Sequence, residues 1–405
     1  MRENPPWLFG ILNIPYGTFN AIITILMPFL LRKRGFAVNE IADVVAISSI
    51  PSVWYFLWSP VVDIGLFRRT WVLVAAGASA LCAWMAIVWP SASPFQVTSL
   101  LFAGNVVGML LSSANGAVLQ TLNPALRGRA AGWYQAGNLG GGALGAGATI
   151  WLAKFLGPIA LGATACGLIV LPALAALRIS EERFARLPAA ALFRALAHDI
   201  WDVLKSPRTL VGLVFFLSPV GSAAVGNLIS SVGPDYRASD SQVAFVSGLA
   251  GGILSAIGCM AGGFICDRMN RMTAYAVAGL VSAVFAVWMA VGPANSFTYT
   301  GGYTGYALGA GFAYAAFTAL VLEVLGKRPH AAGSAYSLLV ASGNVPITYM
   351  TWVDGVAYKR FGVRGLMGAD ALANGAGAVI LLLFASFAGR RWLGKSPASK
   401  AEVIG

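Results

Sequence analysis

Few side chains in this sequence can do chemistry: 15 Asp and Glu, 27 Lys and Arg and 2 His in 405 residues. Most of them stand at the ends of long apolar runs. Asp370 is the exception, about two helical turns inside such a run and deeper than any other carboxylate. An ionisable group at that depth is costly in lipid and marks proton or ion work. Glu323 lies about one turn from the end of its run, with Lys327 four residues on, the favourable order for an ion pair along a helix. It is a second candidate for titration and equally a candidate for a structural pair. Asp354 sits near the end of another run.

Neutral polar residues recur inside the same runs. Asn13, Tyr16 and Asn20 fall on one helical face. Asn105 and Ser112 follow, then Gln135 and Asn138. Ser218, Ser222, Tyr306, Tyr314, Asn344 and Thr348 repeat the pattern in the second half of the chain. Amides and phenols suit hydroxyl-rich or amide-rich solutes such as sugars and peptides. The same groups equally serve as hydrogen-bonded ties between helices.

The elements that hold these residues are membrane helices. The composition is 58% hydrophobic and 10% charged, where a soluble chain carries about a quarter charged residues. Twelve apolar spans can be placed. The first six cover residues 7–31, 41–62, 71–90, 96–121, 131–156 and 157–178. The second six cover 208–232, 243–266, 272–292, 300–326, 333–358 and 364–389. The first is too long for a signal h-region and is kept as a span. An even count puts both termini on one side, where 19 of the 27 Lys and Arg fall, against 8 on the other. That bias places the termini in the cytoplasm. The net charge of +12 is thus a topology signal, and no nucleic-acid partner is expected.

Residues 1–178 and 208–405 form the expected halves, joined by 179–207. In that linker Leu192, Leu196, Ile200, Val203 and Leu204 face opposite to Arg194, His198, Asp202 and Lys205. The pattern predicts an amphipathic helix on the membrane surface, or one that binds a partner. Gly137, Gly141 and Gly145 recur every fourth residue, the spacing of close helix packing. No Lys-Ser/Thr follows, so a phosphate loop does not fit. Six of the eight opposite-side basic residues (Arg32, Lys33, Arg34, Lys359, Arg360 and Arg364) go against the topological trend. They either snorkel to the interface or ring a mouth that attracts an anion. Both histidines, His198 and His330, lie in loops. No metal-ligand cluster, nucleophile motif or cofactor signature appears, so an enzyme is a poor fit.

One polar pattern occurs twice. Trp58 to Arg69 (WSPVVDIGLFRR) ends an apolar run in Asp63, Arg68 and Arg69. Gly262 to Arg271 (GGFICDRMNR) ends another in Asp267, with Gly263, Arg268 and Arg271 in G-x-x-x-D-R-x-x-R order. The first copy departs from the second at Ser59, Ile64 and Gly65. A second repeat pairs RGRAAGWYQAGN, from Arg127, with HAAGSAYSLLVASGN, from His330. The duplicated loop resembles the signature of the major facilitator superfamily. That resemblance implies two six-helix bundles working by alternating access, with spans 1, 4, 7 and 10 around a central cavity. It also implies that each loop aspartate faces a helix start in the opposite bundle and gates the transport cycle. FLWSPVVD, AAGWYQAGNLGGGALG and SAYSLLVASGN are similar to the branch of AmpG-type anhydromuropeptide permeases and acetyl-CoA transporters. By that likeness the chain is a monomer in the bacterial inner membrane that imports a bulky polar solute such as a muropeptide, with protons as coupling ion. A siderophore permease or an exporter would share these features.

Overall fold

The computed structural model describes residues 4–89, 93–120, 124–180, 189–266, 268–325 and 332–392. The described residues are helical almost throughout, without a strand among them. Span 1 is Pro6–Lys33, span 2 Val38–Leu57 and span 3 Arg68–Val88. Span 4 is Pro94–Gln120, span 5 Pro124–Leu152 and span 6 Pro158–Arg178. Span 8 is Asp240–Cys266, span 9 Arg271–Val291 and span 10 Ser296–Leu325. Spans 11 and 12 lie within Ala332–Trp392, divided at Gly362, whose φ of 66° only glycine adopts readily. Proline opens spans 1, 6 and 7, where its missing N–H costs nothing. Ser239 with Gln242 caps span 8, and Asn270 caps span 9. The linker is helical over Ala189–Leu204 as expected, with Phe193 and Trp201 exposed. The side chains of Leu192, Leu196, Asp202 and Val203 lie outside the described ones.

Span 7 differs from the continuous helix expected over 208–232. It is helical over Pro207–Phe216, leaves the helix, and resumes at Val225–Leu228. Pro219 has no N–H to donate, and Gly221 (φ 70°) and Ala223 (φ 56°) take left-handed backbone. In lipid the freed backbone groups need partners, and side chains supply them. Tyr275 donates to the Val220 carbonyl at 2.6 Å, and Tyr349 to that of Leu217 at 3.0 Å. The Gly221 N–H donates to Asn374 Oδ1 at 3.0 Å.

The glycine stripe packs as its spacing predicts. A β-carbon on Gly137 would sit 1.9 Å from the Gly10 carbonyl oxygen, and one on Gly17 2.1 Å from that of Asn138. Spans 1 and 5 therefore touch backbone to backbone. Between the halves, span 5 meets span 8 at Gly147 and Gly248, and span 2 meets span 11 at Ala42 and Gly355. These contacts lie toward the end away from the linker helix, here the far end. The apolar core has the same asymmetry. One buried cluster fills the first half and continues into the second through Val225, Tyr236, Met289 and Leu366 at the far end. A separate cluster around Phe215, Phe216, Phe312 and Leu320 fills the rest of the second half.

Candidate functional site

Three polar groups stand out in this frame. The first lies between the halves. In span 1, 72% of the most apolar stretch is buried, yet Asn20 is exposed. Gln135 is exposed too, and Tyr314 is 44% exposed. Tyr16 is within electrostatic reach of Tyr134 and Tyr314, which brings together spans 1, 5 and 10. Ser112 shares a 2.9 Å hydrogen bond with the Tyr134 hydroxyl. Tyr134 was not singled out from the sequence, although it lies beside Gln135 in the repeated motif.

Other residues of the expected cavity set are ties. Asn13 donates to the Tyr134 carbonyl at 2.9 Å and Asn105 to that of Ser48 at 2.8 Å. Ser218 is no tie between spans: it donates to the Phe215 carbonyl three residues back in its own span, at 2.7 Å. Asn138 presses its carbonyl on Gly17. Asn344 donates to the Ser52 carbonyl at 2.8 Å and so joins the two halves.

The second group is buried in the second half. Asp354 and Asp370 are both 0% exposed. Tyr306, expected to line the cavity, is instead buried and donates to Asp370 Oδ1 at 3.2 Å. Asn374 donates to Asp370 Oδ2 at 3.1 Å. Both oxygens of Asp354 have no hydrogen-bond partner among the described residues, and the charge close enough to act on it is that of Asp370. The geometry comes from the turn. Residues 354 and 370 lie equally far from Gly362, and equal helix lengths on either side of a hairpin put them level.

The third group closes the far end. Lys33 of span 1 pairs with Asp240 of span 8 at 2.6 Å. Arg32 approaches Asp235 at 3.6 Å, and the Tyr358 hydroxyl donates to the Asp235 carboxylate at 3.0 Å. Burial pushes the Asp235 carboxyl up from its ordinary value, against the Tyr358 hydrogen bond and the Arg32 charge, which pull it down. Ser230 donates to the Ile25 carbonyl at 2.6 Å, where span 1 widens into a π turn at Ile22–Leu26. Arg34 donates to the Ile87 carbonyl at 2.9 Å. Arg32 and Lys33 are thus neither a snorkelling pair nor an open basic ring. They hold the halves together.

At the near end the duplicated loop is visible as duplicated contacts. Arg68 donates to the Ala117 carbonyl at 3.1 Å, and Arg271 to that of Ala319 at 3.4 Å. Arg69 lies 5.2 Å from the Phe67 ring, and Arg268 lies 3.5 Å from that of Phe264. Gly263 faces open space. Glu323 pairs with Arg271 at 3.4 Å; Lys327, its expected partner, lies outside the described residues. Asp267 and the Asp63 side chain lie outside them as well.

Comparison with known proteins agrees with this architecture. Residues 9–351 match the Major Facilitator Superfamily. No curated protein matches the sequence. Among solved structures the chain is similar to a D-xylose–proton symporter, with 12% identity, a TM-score of 0.71, and 96% of this chain and 97% of that one covered. The nucleoside transporter NupG matches with 14% identity, a TM-score of 0.71, and 95% and 99% covered. The xylose transporter XylE from E. coli, in an inward-open conformation, matches with 11% identity, a TM-score of 0.69, and 97% and 96% covered. At such identities these structures show the fold alone. The all-helical architecture and the family match over most of the chain make it a membrane transporter rather than an enzyme, and it belongs to the major facilitator superfamily.

Proposed function

We propose that the chain is a proton-coupled importer of a bulky polar solute, with Asp354 and Asp370 as the coupling pair. The observation that carries this is the unpartnered Asp354 carboxyl, fully buried beside Asp370. Two buried carboxylates in one site repel each other, and a charge taken out of water without a partner is costly. A proton on the pair removes both penalties. Asp370 has two donors and Asp354 has none, so Asp354 holds its proton at rest and Asp370 is the member that gains and loses one in the cycle. Glu323, the other sequence candidate, is held by Arg271.

For the solute, Tyr16, Tyr134 and Tyr314 offer ring faces and hydroxyls, and Asn20 and Gln135 offer amides. This surface suits sugar-and-amide compounds, which keeps a muropeptide as the first solute to assay. The far-end arginine and lysine are engaged by carboxylates, so they give no separate support for an anionic solute. Residues 1–178 and 208–405 act as the two moving bodies, with 179–207 on the cytoplasmic face. Far-end closure supports assigning this conformation to the inward-facing part of the cycle. The environment is the bacterial inner membrane, and the working unit is a monomer.

The test uses purified protein in liposomes with an imposed proton gradient. Anhydromuropeptide, a pentose, a nucleoside and a siderophore are the probes. Asp354→Asn and Asp370→Asn should retain solute exchange and lose gradient-driven accumulation. Accumulation at the wild-type level in both variants sinks the proposed coupling pair.

A further inference from the structure

We infer that Asn374 is a positioning residue that ties the charge of Asp370 to the break in span 7. The inference rests on Asp354 and Asp370 being the proton pair. Asn374 is 0% exposed and lies one turn beyond Asp370. Both ends of its amide are engaged. The NH2 donates to Asp370 Oδ2 and to the Asp370 carbonyl, each at 3.1 Å, and Oδ1 accepts the Gly221 N–H at 3.0 Å. A backbone N–H can only donate, so it fixes which end of the amide faces span 7. The NH2 must then face Asp370, and it requires an acceptor there.

Oδ2 is a strong acceptor only while Asp370 is charged. A proton there leaves it a weak one and adds a donor facing the NH2, so the amide is held on that side chiefly by the Asp370 carbonyl. An amide released from Oδ2 is free to turn, and in turning it withdraws Oδ1 from Gly221. The other donor to Asp370, the Tyr306 hydroxyl, comes from span 10. The break at Gly221 is thus suspended from Asp370 through Asn374. The titratable groups facing Asp370 are Tyr306 from span 10 and Asp354 from span 11. Span 9 contributes Tyr275, whose hydroxyl is engaged by the Val220 carbonyl, and span 7 contributes the backbone of Gly221 and Val225. The span-7 segment is left-handed at Gly221 and Ala223 and so has little regular structure to hold it once released.

The test is hydrogen–deuterium exchange of the peptide covering residues 217–225, across pH and corrected for intrinsic rates. It uses full-length protein without solute. Infrared spectroscopy of the same samples follows the protonated-carboxyl band. In the wild type, exchange should quicken up to about tenfold as the band grows with protonation of Asp370, the effect of losing one buried hydrogen bond. In Asp370→Asn the exchange should not depend on pH. In Asn374→Leu it should be fast at every pH, while the carboxyl band still titrates. A merely structural Asn374 would leave the wild-type pH dependence in place in Asn374→Leu. If that variant does not fold, the wild-type and Asp370→Asn series decide alone. A band that titrates while segment exchange stays flat overturns the role of Asn374 and leaves the proton pair standing. A band that does not titrate overturns both.

Discussion

Removing the Asp235 carboxylate should open the far end. In the closed state it accepts from Tyr358 at 3.0 and 3.1 Å and faces Arg32 at 3.6 Å. The Asp235 and Arg32 side chains are 23% and 27% exposed, so solvent screens part of the ion pair. A hydrogen bond to a charged group contributes roughly 1.5–3 kcal/mol, and a screened ion pair adds under about 1. Asp235→Ala should therefore cost the closed state about 2 kcal/mol, some thirtyfold in the ratio of closed to open. The second bridge provides the contrast. Lys33 and Asp240 are 47% and 40% exposed, a setting in which a pair is worth about 0–1 kcal/mol. Asp240→Asn should move the ratio less than about fivefold. Spin labels on Ala37→Cys and Ala238→Cys, with the four native cysteines replaced, report the separation of the halves at this end. A distance distribution in Asp235→Ala that overlays the wild type refutes the reasoning. A larger change in Asp240→Asn than in Asp235→Ala refutes it too.

The same labels test pH. Burial holds the Asp235 carboxyl above its ordinary value in the closed state, so closed protein takes up that proton more readily than open protein with Asp235 in water. The protonated acid keeps its hydrogen bond with Tyr358 and sheds the desolvation penalty of the charge, so falling pH should favour closure, whereas Ala loses the contacts at every pH; Asp235→Asn should abolish the pH trend. Gly137→Ala should lower the melting temperature sharply, because its β-carbon meets backbone at 1.9 Å, whereas Gly140→Ala, with nothing within 4 Å, should be near neutral. Equal melting temperatures for the two would exclude backbone contact between spans 1 and 5. Asp267→Asn should lose transport at near-normal expression; normal transport with unchanged thiol labelling on both faces rules out a gating role for Asp267.

What the sequence made legible was what leaves a compositional trace. Apolar runs separated by arginines give the spans, and the repeated loop gives the two halves. Gly137, Gly141 and Gly145 reveal a packing face because only small residues let backbones meet. The carboxylate pair was half legible. Asp370 stands out by depth, but its partner depends on where span 11 turns into span 12. That turn is set by one glycine, Gly362, and a shift of one residue would move Asp354 about 100° around its helix. The break in span 7 was hidden for a different reason. Residues 208–232 are as apolar unwound as wound, so hydropathy does not distinguish them, although Pro219 and Gly221 mark the place. The far-end pairs join residues some two hundred positions apart, beyond any local pattern.

The position of the break explains why a membrane protein tolerates it. Unwinding inside a span exposes peptide groups that lipid cannot satisfy. Here Tyr275, Tyr349 and Asn374 engage Val220, Leu217 and Gly221 from three neighbouring spans. Two of those partners are also connected to the proposed working sites. Tyr349 is half-buried on span 11, which meets the first half through Asn344; Asn374 holds Asp370. The unwound segment therefore has span 11 and its contact with the first half on one flank and the buried carboxylates on the other. A continuous helix would keep its backbone groups to itself and would present side chains alone to both. The broken one offers its N–H and carbonyl groups as well. Under the proposed coupling the proton pair need not touch the solute to influence it, because both would act on the same short stretch of backbone.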